Sequence, residues 1–181
     1  MFRPIAFCLM FFLTVLCRMP CCSQNPSKYQ TQGVLVFKFA QFTDWPDQVF
    51  ASPEAPFVIG ILGGDPFGAF LDQLVAGEKI RNHPIIVRRF SSEEEASSSH
   101  LLFLSRDFPI ARMYLDSLSQ GKHVLTVSEA PAFVETGGII GFFNEKDKVR
   151  FEVNRDAMRK SNLILSSKVL RLARLCCDNP E

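Results

Sequence analysis

The chain has no cysteine between Cys22 and Cys176, one tryptophan, two tyrosines and three histidines in 181 residues. Each scarcity removes a class of chemistry. The central stretch holds no thiol that a neighbouring base could activate. The cysteine pairs near the ends, Cys21-Cys22 and Cys176-Cys177, mimic half a zinc site, yet no histidine stands near either pair in sequence. His83, His100 and His123 are scattered. His100 and His123 each stand at the start of an expected strand, so parallel neighbours can bring them together; two unrelated edge histidines are the plainer reading. Net charge is +1, which gives no field to draw nucleic acid or an anionic membrane. No serine sits in a nucleophile elbow. Gly60, Gly63, Gly64 and Gly68 match neither a dinucleotide fingerprint nor a phosphate loop, so Gly63-Gly64-Asp65-Pro66 reads as a plain strand-to-helix turn. Carboxylates are dispersed, and Glu93 to Glu95 form a solvated turn. Nothing assembles an active site: no enzyme, cofactor or metal is expected.

What the chain does have is apolar mass. Apolar residues make up 47% and charged residues 22%, and eighteen of the aromatics are phenylalanine, a core-type composition. The length suits one domain, residues 24–181, and a core that needs no staples. Residues 1–23 read as a secretory signal: Arg3 precedes an apolar run from Ile5 to Leu16, and a polar stretch follows with cleavage near Cys22 or Ser23. The run is short for a bilayer span, and no other run is long enough. Leu16 and Pro20 directly precede Cys17 and Cys21, which suits neither cysteine to lipidation. Export would place Cys176 and Cys177 in an oxidising compartment, where they could bridge to another chain or to Cys21 or Cys22. A bridge between the adjacent pair is strained.

Gly137 to Asn154 reads as a β-hairpin. Ile139 to Phe143 is a continuous apolar run suited to a strand buried on both faces, Asn144 to Lys148 is a five-residue turn, and Val149, Phe151 and Val153 alternate with polar residues. Upstream, Asn25 to Ser27 cap a helix from Ser27 to Thr43 that ends at Asp44-Trp45-Pro46. Trp45 reads as a core anchor, with a partner contact as the alternative. Gln48 to Pro56 is a polar loop. Strands are expected at 57–62, 84–90, 100–105 and 123–127, alternating with helices at 67–75, 93–95 (capped by Ser91), 107–119 and 131–136. That alternation predicts a three-layer α/β sandwich: a mainly parallel sheet, helices on both faces, and the antiparallel hairpin at the margin. After the hairpin, Asn154 caps a helix 155–160, and Ser166 caps a last helix 167–175. On that helix Lys168, Arg171 and Arg174 would form a basic stripe, a solvated face or a surface for an acidic partner.

Seven stretches, in order and spanning nearly all of the chain after the signal, resemble the YfiR family of small exported proteins from Gram-negative bacteria. They are Lys38–Pro46, Gly63–Gly68, His100–Ser105, Leu125–Glu129, Gly137–Phe142, Arg150–Asn154 and Leu165–Ala173. The resemblance implies a soluble periplasmic repressor that forms a homodimer. Such a repressor binds the periplasmic sensor domain of an inner-membrane diguanylate cyclase, and an outer-membrane lipoprotein can sequester it. Phe42 and Trp45, with Arg171 and Arg174, are the candidate partner-binding residues. Periplasmic small-ligand binding at the strand ends near Gly63 and Ser105 is the alternative. Many relatives carry a pair of cysteines at positions that correspond to Gly60 and Ser99; both are absent here, so a redox bridge at that place is not expected.

Overall fold

The computed structural model describes residues 27–109, 112–119 and 122–177. The expected signal segment, with Cys8, Cys17, Cys21 and Cys22, lies outside the described residues. Helix α1 (Lys28–Gln41) starts where Ser27 Oγ accepts from the Gln30 amide while the Gln30 side chain returns to the Ser27 amide. This reciprocal cap satisfies two of the amides that a helix start leaves open. Strand β1 (Thr43–Asp44) follows directly, and a single 3-10 turn at Asp47–Val49 leads to β2 (Phe57–Leu62). Next come α2 (Ala69–Val75), β3 (Lys79–Ile80), β4 (His83–Phe90), α3 (Glu93–Ala96), β5 (Leu101–Leu104), α4 (Arg112–Ser119) and β6 (Leu125–Ser128). The hairpin is β7 (Ile140–Glu145) with β8 (Lys148–Asn154). The chain ends in α5 (Arg155–Lys160), β9 (Ile164–Leu165), α6 (Ser167–Leu170) and β10 (Arg174–Cys176).

Eight strands form one sheet in the order β10-β8-β7-β6-β5-β2-β4-β3, and β1 pairs with β9 in a separate antiparallel ladder. Pairings inside the large sheet are parallel except β7–β8 and β3–β4. The architecture is the expected α/β sandwich. The continuous apolar runs explain the three layers, because successive side chains of a strand point to opposite faces. Phe57, Ile59 and Ile61 of β2, with Leu101 and Phe103 of β5, join Val36, Phe39, Leu71 and Val75 of α1 and α2 in one core. Leu62, Leu102 and Leu104 face the other way and join Ala96, Leu115 and Leu118 of α3 and α4. Phe39 rests on both hairpin strands, with ring centroids 5.9 Å from Phe142 and 4.9 Å from Phe151.

Several boundaries differ from expectation for identifiable reasons. The hairpin turn is two residues, Lys146 and Asp147, both at positive φ (47° and 59°), the mirror-type turn whose twist matches its strands. Asp65 accepts from the Phe67 and Gly68 amides, and α2 begins at Ala69, two residues later than the expected 67. The cap of α3 is Ser92 rather than Ser91. Residues 131–136 make turns instead of a helix, since Ala132 takes φ +57°. Gly138 lets that segment fold back: a Cβ there would lie 2.1 Å from the Phe133 ring. The last expected helix stops after one turn. Its closing bonds, Leu172 N–H to Val169 O and Ala173 N–H to Leu170 O, are three-residue bonds. Arg174–Cys176 then pair in parallel with Glu152–Asn154, covering the outer edge of the hairpin.

Candidate docking surface

The region around Phe42 and Trp45 is where α1 hands over to the β1–β9 ladder. Trp45 is fully buried. Its Nε1–H donates to Ala40 O at 2.9 Å, and its ring meets Phe57 edge-on at 4.9 Å. Its ring therefore takes the core-anchor reading, and Trp45 meets the cleft described below without exposed surface. Phe42 remains outside, 37% exposed, with its carbonyl accepting from the Ser166 amide at 2.8 Å. Ile164, across the ladder, is 67% exposed.

Arg81 ties this corner to the main sheet. Arg81 and Asn82 form the left-handed two-residue turn between β3 and β4 (φ 50° and 81°). The Arg81 guanidinium donates to the Trp45 carbonyl and pairs with Asp47 at 3.1 Å. Both partners are largely exposed, so the ion pair itself contributes little, on the order of 0–1 kcal/mol. Its value is positional, because Arg81 separates two shallow clefts. One of about 310 Å³ lies among Asp44, Pro46, Asp47, Asn162 and Ile164, and one of about 330 Å³ lies among Gln41, Phe42, Thr43, Lys79 and Ile80.

A third cleft, about 400 Å³, opens beside Asp47, Phe50, Ser52, Pro53 and His83. Phe50 and His83, which line it, begin a stack of rings. Phe50 lies 3.5 Å from His83, nearly parallel, and 5.0 Å from His100; Phe57 lies 4.9 Å from His100 on the far side. His100 Nδ1 accepts from the Val58 amide at 3.0 Å, so the ring proton sits on Nε2 and is offered to Val49 O at 3.2 Å. Burial pushes the His100 pKa below its ordinary value, nearby His83 adds to that, and the Val49 carbonyl opposes it. The ring is a neutral fastener for the 47–56 loop. His123 instead meets Gln48 Nε2 at 3.2 Å, with its Nδ1 buried and unpartnered. His100 and His123 thus hold different loop residues, and no group of three or more His, Cys, Asp or Glu that could hold a metal occurs among the described residues.

The other candidates fall elsewhere. Arg171 is exposed just beyond α6, whereas Arg174 lies on β10 with its guanidinium 4.1 Å from the Phe143 ring centre and 3.6 Å from Glu145. They do not share a helix face, so the basic stripe is corrected along with the helix. Cys176 and Cys177 are free thiols. Burial first, then the hydrogen bond with Cys177, pushes the Cys176 thiol up to about 12. At the C-terminal ends of the strands, Phe108 and Ser105 crowd Gly63: a Cβ there would meet their Cβ atoms at 3.0 Å each. Gly63 and Gly64 are nonetheless exposed at this end of the sheet, where small ligands sit in folds of this kind. Gly60 and Ser99 are in contact, a Gly60 Cβ falling 2.9 Å from Ser99 Cβ, and Ser99 Oγ is buried without a partner. Sequence reasoning missed Arg81, Lys79, Ile164 and Phe50. The Asn82-His83-Pro84 step after Ile80 was the one turn signal that could have found Arg81.

A family profile described as YfiR/HmsC-like matches residues 29–174. The chain belongs to the YfiR/HmsC-like family. No curated protein matches it. The matched span takes in the Phe42–Arg81 corner, the ring stack, the hairpin and β9, so every wall of the three clefts belongs to the YfiR/HmsC-like unit. The YfiR/HmsC-like family is regulatory rather than catalytic, and a corner of shallow clefts around an exposed Phe and Ile suits contact with another macromolecule.

Proposed function

We propose that this protein is exported to the periplasm and there binds the periplasmic sensor domain of an inner-membrane diguanylate cyclase, holding down cyclic-di-GMP synthesis. It acts as a homodimer and is itself withdrawn by an outer-membrane lipoprotein. Membership of the YfiR/HmsC-like family over residues 29–174 carries this reading. The Phe42–Ile164–Arg81 corner supports docking as the mode of action: it offers apolar side chains, shallow relief and no converging acid–base groups. Regulation by docking requires only that one conformation of the sensor bind better than the other. Reversing a 99:1 population takes a preference of about 10⁴-fold.

The test is co-purification of the protein with the periplasmic domain of a cyclase encoded beside it, followed by titration of Phe42→Ser and Ile164→Asp variants. A complex that each variant weakens at least tenfold is expected. Failure of the wild-type protein to form any complex would remove the cyclase reading.

A further inference from the structure

We propose that the cleft between β1 and β3 receives an extended, acidic segment of a partner protein as an added strand, joining the two sheets across it; this rests on the docking reading and specifies its mode. The argument begins with which way the main chain points. In an antiparallel ladder, residues alternate between bonding one neighbour and facing away from it. The Ser166 amide bonds Phe42 O, and the register pairs Asp44 with Ile164. Phe42 and Asp44 therefore face β9, while Thr43 and Trp45 turn their amide and carbonyl groups away from it. Arg81 already uses the carbonyl of Trp45 on that outer side.

The same alternation holds on β3. The two-residue turn at Arg81-Asn82 closes on the pair Ile80–His83, and the Ile85 amide bonds Glu78 O. Lys79, between them opposite Pro84, directs its N–H and C=O to the open margin of the large sheet. Thr43 and Lys79 line the same cleft of about 330 Å³. Two unpaired strand margins thus border one cleft, which buried Ile80 and exposed Phe42 also line. Unpaired strand margins are templates for strand addition.

Charge chooses the occupant. Lys79 is exposed and forms no ion pair among the described residues; Lys38, bonded to Gln41 at the rim, is likewise without one. Arg81 closes the end of the cleft with its own acid, Asp47. Residues 1–26 contain no Asp or Glu and carry Arg3 and Arg18, so their charge does not match the cleft.

The experiment uses the full protein, labelled with ¹⁵N, and a seven-residue capped peptide of alternating Thr or Val with Asp and Glu. The same peptide with Lys at its acidic positions, and one with a central Pro, serve as controls. Binding of the acidic peptide alone is expected, with amide exchange at Thr43 and Lys79 slowed at least tenfold at saturation. Lys79→Glu should weaken binding at least tenfold, and so should Lys79→Pro, which removes an amide that β4 does not use. The proposal falls if the acidic peptide does not bind, if it binds without protecting these two amides, or if they are protected without peptide because two copies pair there. A cyclase domain that co-purifies yet leaves both amides unprotected overturns strand addition alone. Peptide binding without a cyclase complex overturns the cyclase reading alone.

Discussion

Placing cysteines at positions 60 and 99 should fasten β2 to the segment that enters β5. A Cβ built at Gly60 lies 2.9 Å from Ser99 Cβ, against the roughly 3.8 Å typical of a disulfide. The two chains must therefore part by just under 1 Å, which the irregular 97–100 segment can absorb more readily than a central strand. The bridge closes a loop of about 40 residues, and chain entropy then favours the oxidised form by about 4 kcal/mol. Comparing the same double variant (Gly60→Cys with Ser99→Cys) oxidised and reduced leaves the packing strain largely common to both. For a domain of this size, about 2–4 °C per kcal/mol converts that to a melting temperature about 8–16 °C higher when oxidised. Thiol titration of unfolded residues 24–181 gives the check on linkage: two thiols, from Cys176 and Cys177, should remain where the reduced form shows four. If all four thiols stay free under oxidising conditions, or reduction leaves the melting temperature unchanged, the contact between these positions is wrong. Gly60→Ala alone should destabilise, because its methyl would meet Ser99 Oγ at 2.1 Å and Leu102 Cδ1 at 3.0 Å.

Three further outcomes follow from the geometry. Trp45→Ala removes a fully buried ring and orphans the Ala40 carbonyl, so urea unfolding should show a loss of about 3–5 kcal/mol. His100 has a folded pKa below its unfolded value, so the unfolded chain takes up the proton first; the stabilisation is complete above about pH 6.5 and is lost as pH falls through that value. The urea midpoint should therefore drop more between pH 7.5 and 5.5 for the wild type than for His100→Asn. Cys176, whose thiol is held up to about 12, should react with iodoacetamide at neutral pH more slowly than a free cysteine, and alkylation mapped by mass spectrometry should show its rate still climbing at pH 10.

The parts of the fold legible in the sequence are those fixed by side-chain period. Phe57–Leu62 and Leu101–Leu104 are unbroken apolar runs, and only a strand covered on both faces gives every one of those residues a core to enter. The alternation Val149, Phe151, Val153 likewise announced its one buried face. What the period could not show was which margin another segment would cover. Val169, Leu170, Leu172 and Ala173 suit a helix by spacing, yet β8 offers an open row of backbone groups that Arg174–Cys176 occupy, and Leu172 is left 73% exposed. Two-residue strands such as β1, β3 and β9 carry no period at all. The candidate surface was half visible for the same reason: Phe42 and Trp45 stood out by residue type, but only the packing shows that one is rim and the other is foundation. Gly60 and Ser99, 39 positions apart in sequence, drew notice through family resemblance alone and proved to touch.

The location of the clefts bears on the docking proposed above. In open parallel sheets the crevice at the C-terminal strand ends, where neighbouring crossovers diverge, is the usual ligand site. Here those crossovers diverge between β2 and β5, and Phe108 and Ser105 lie against Gly63. The three clefts described above lie at the opposite end, among the loops that lead into β2, β4 and β5, where His83, His100 and Arg81 bind backbone carbonyls. Side chains engaged in holding main chain are poorly placed to transfer protons or orient a substrate, but they keep a shape. A rigid corner with unpaired strand margins can gain affinity from main-chain bonds that many sequences supply, and discrimination from a few side chains, Phe42, Ile164 and Lys79. For a regulator that must tell two conformations of one target apart, a fixed edge that pairs with a strand presented in only one of them is sufficient.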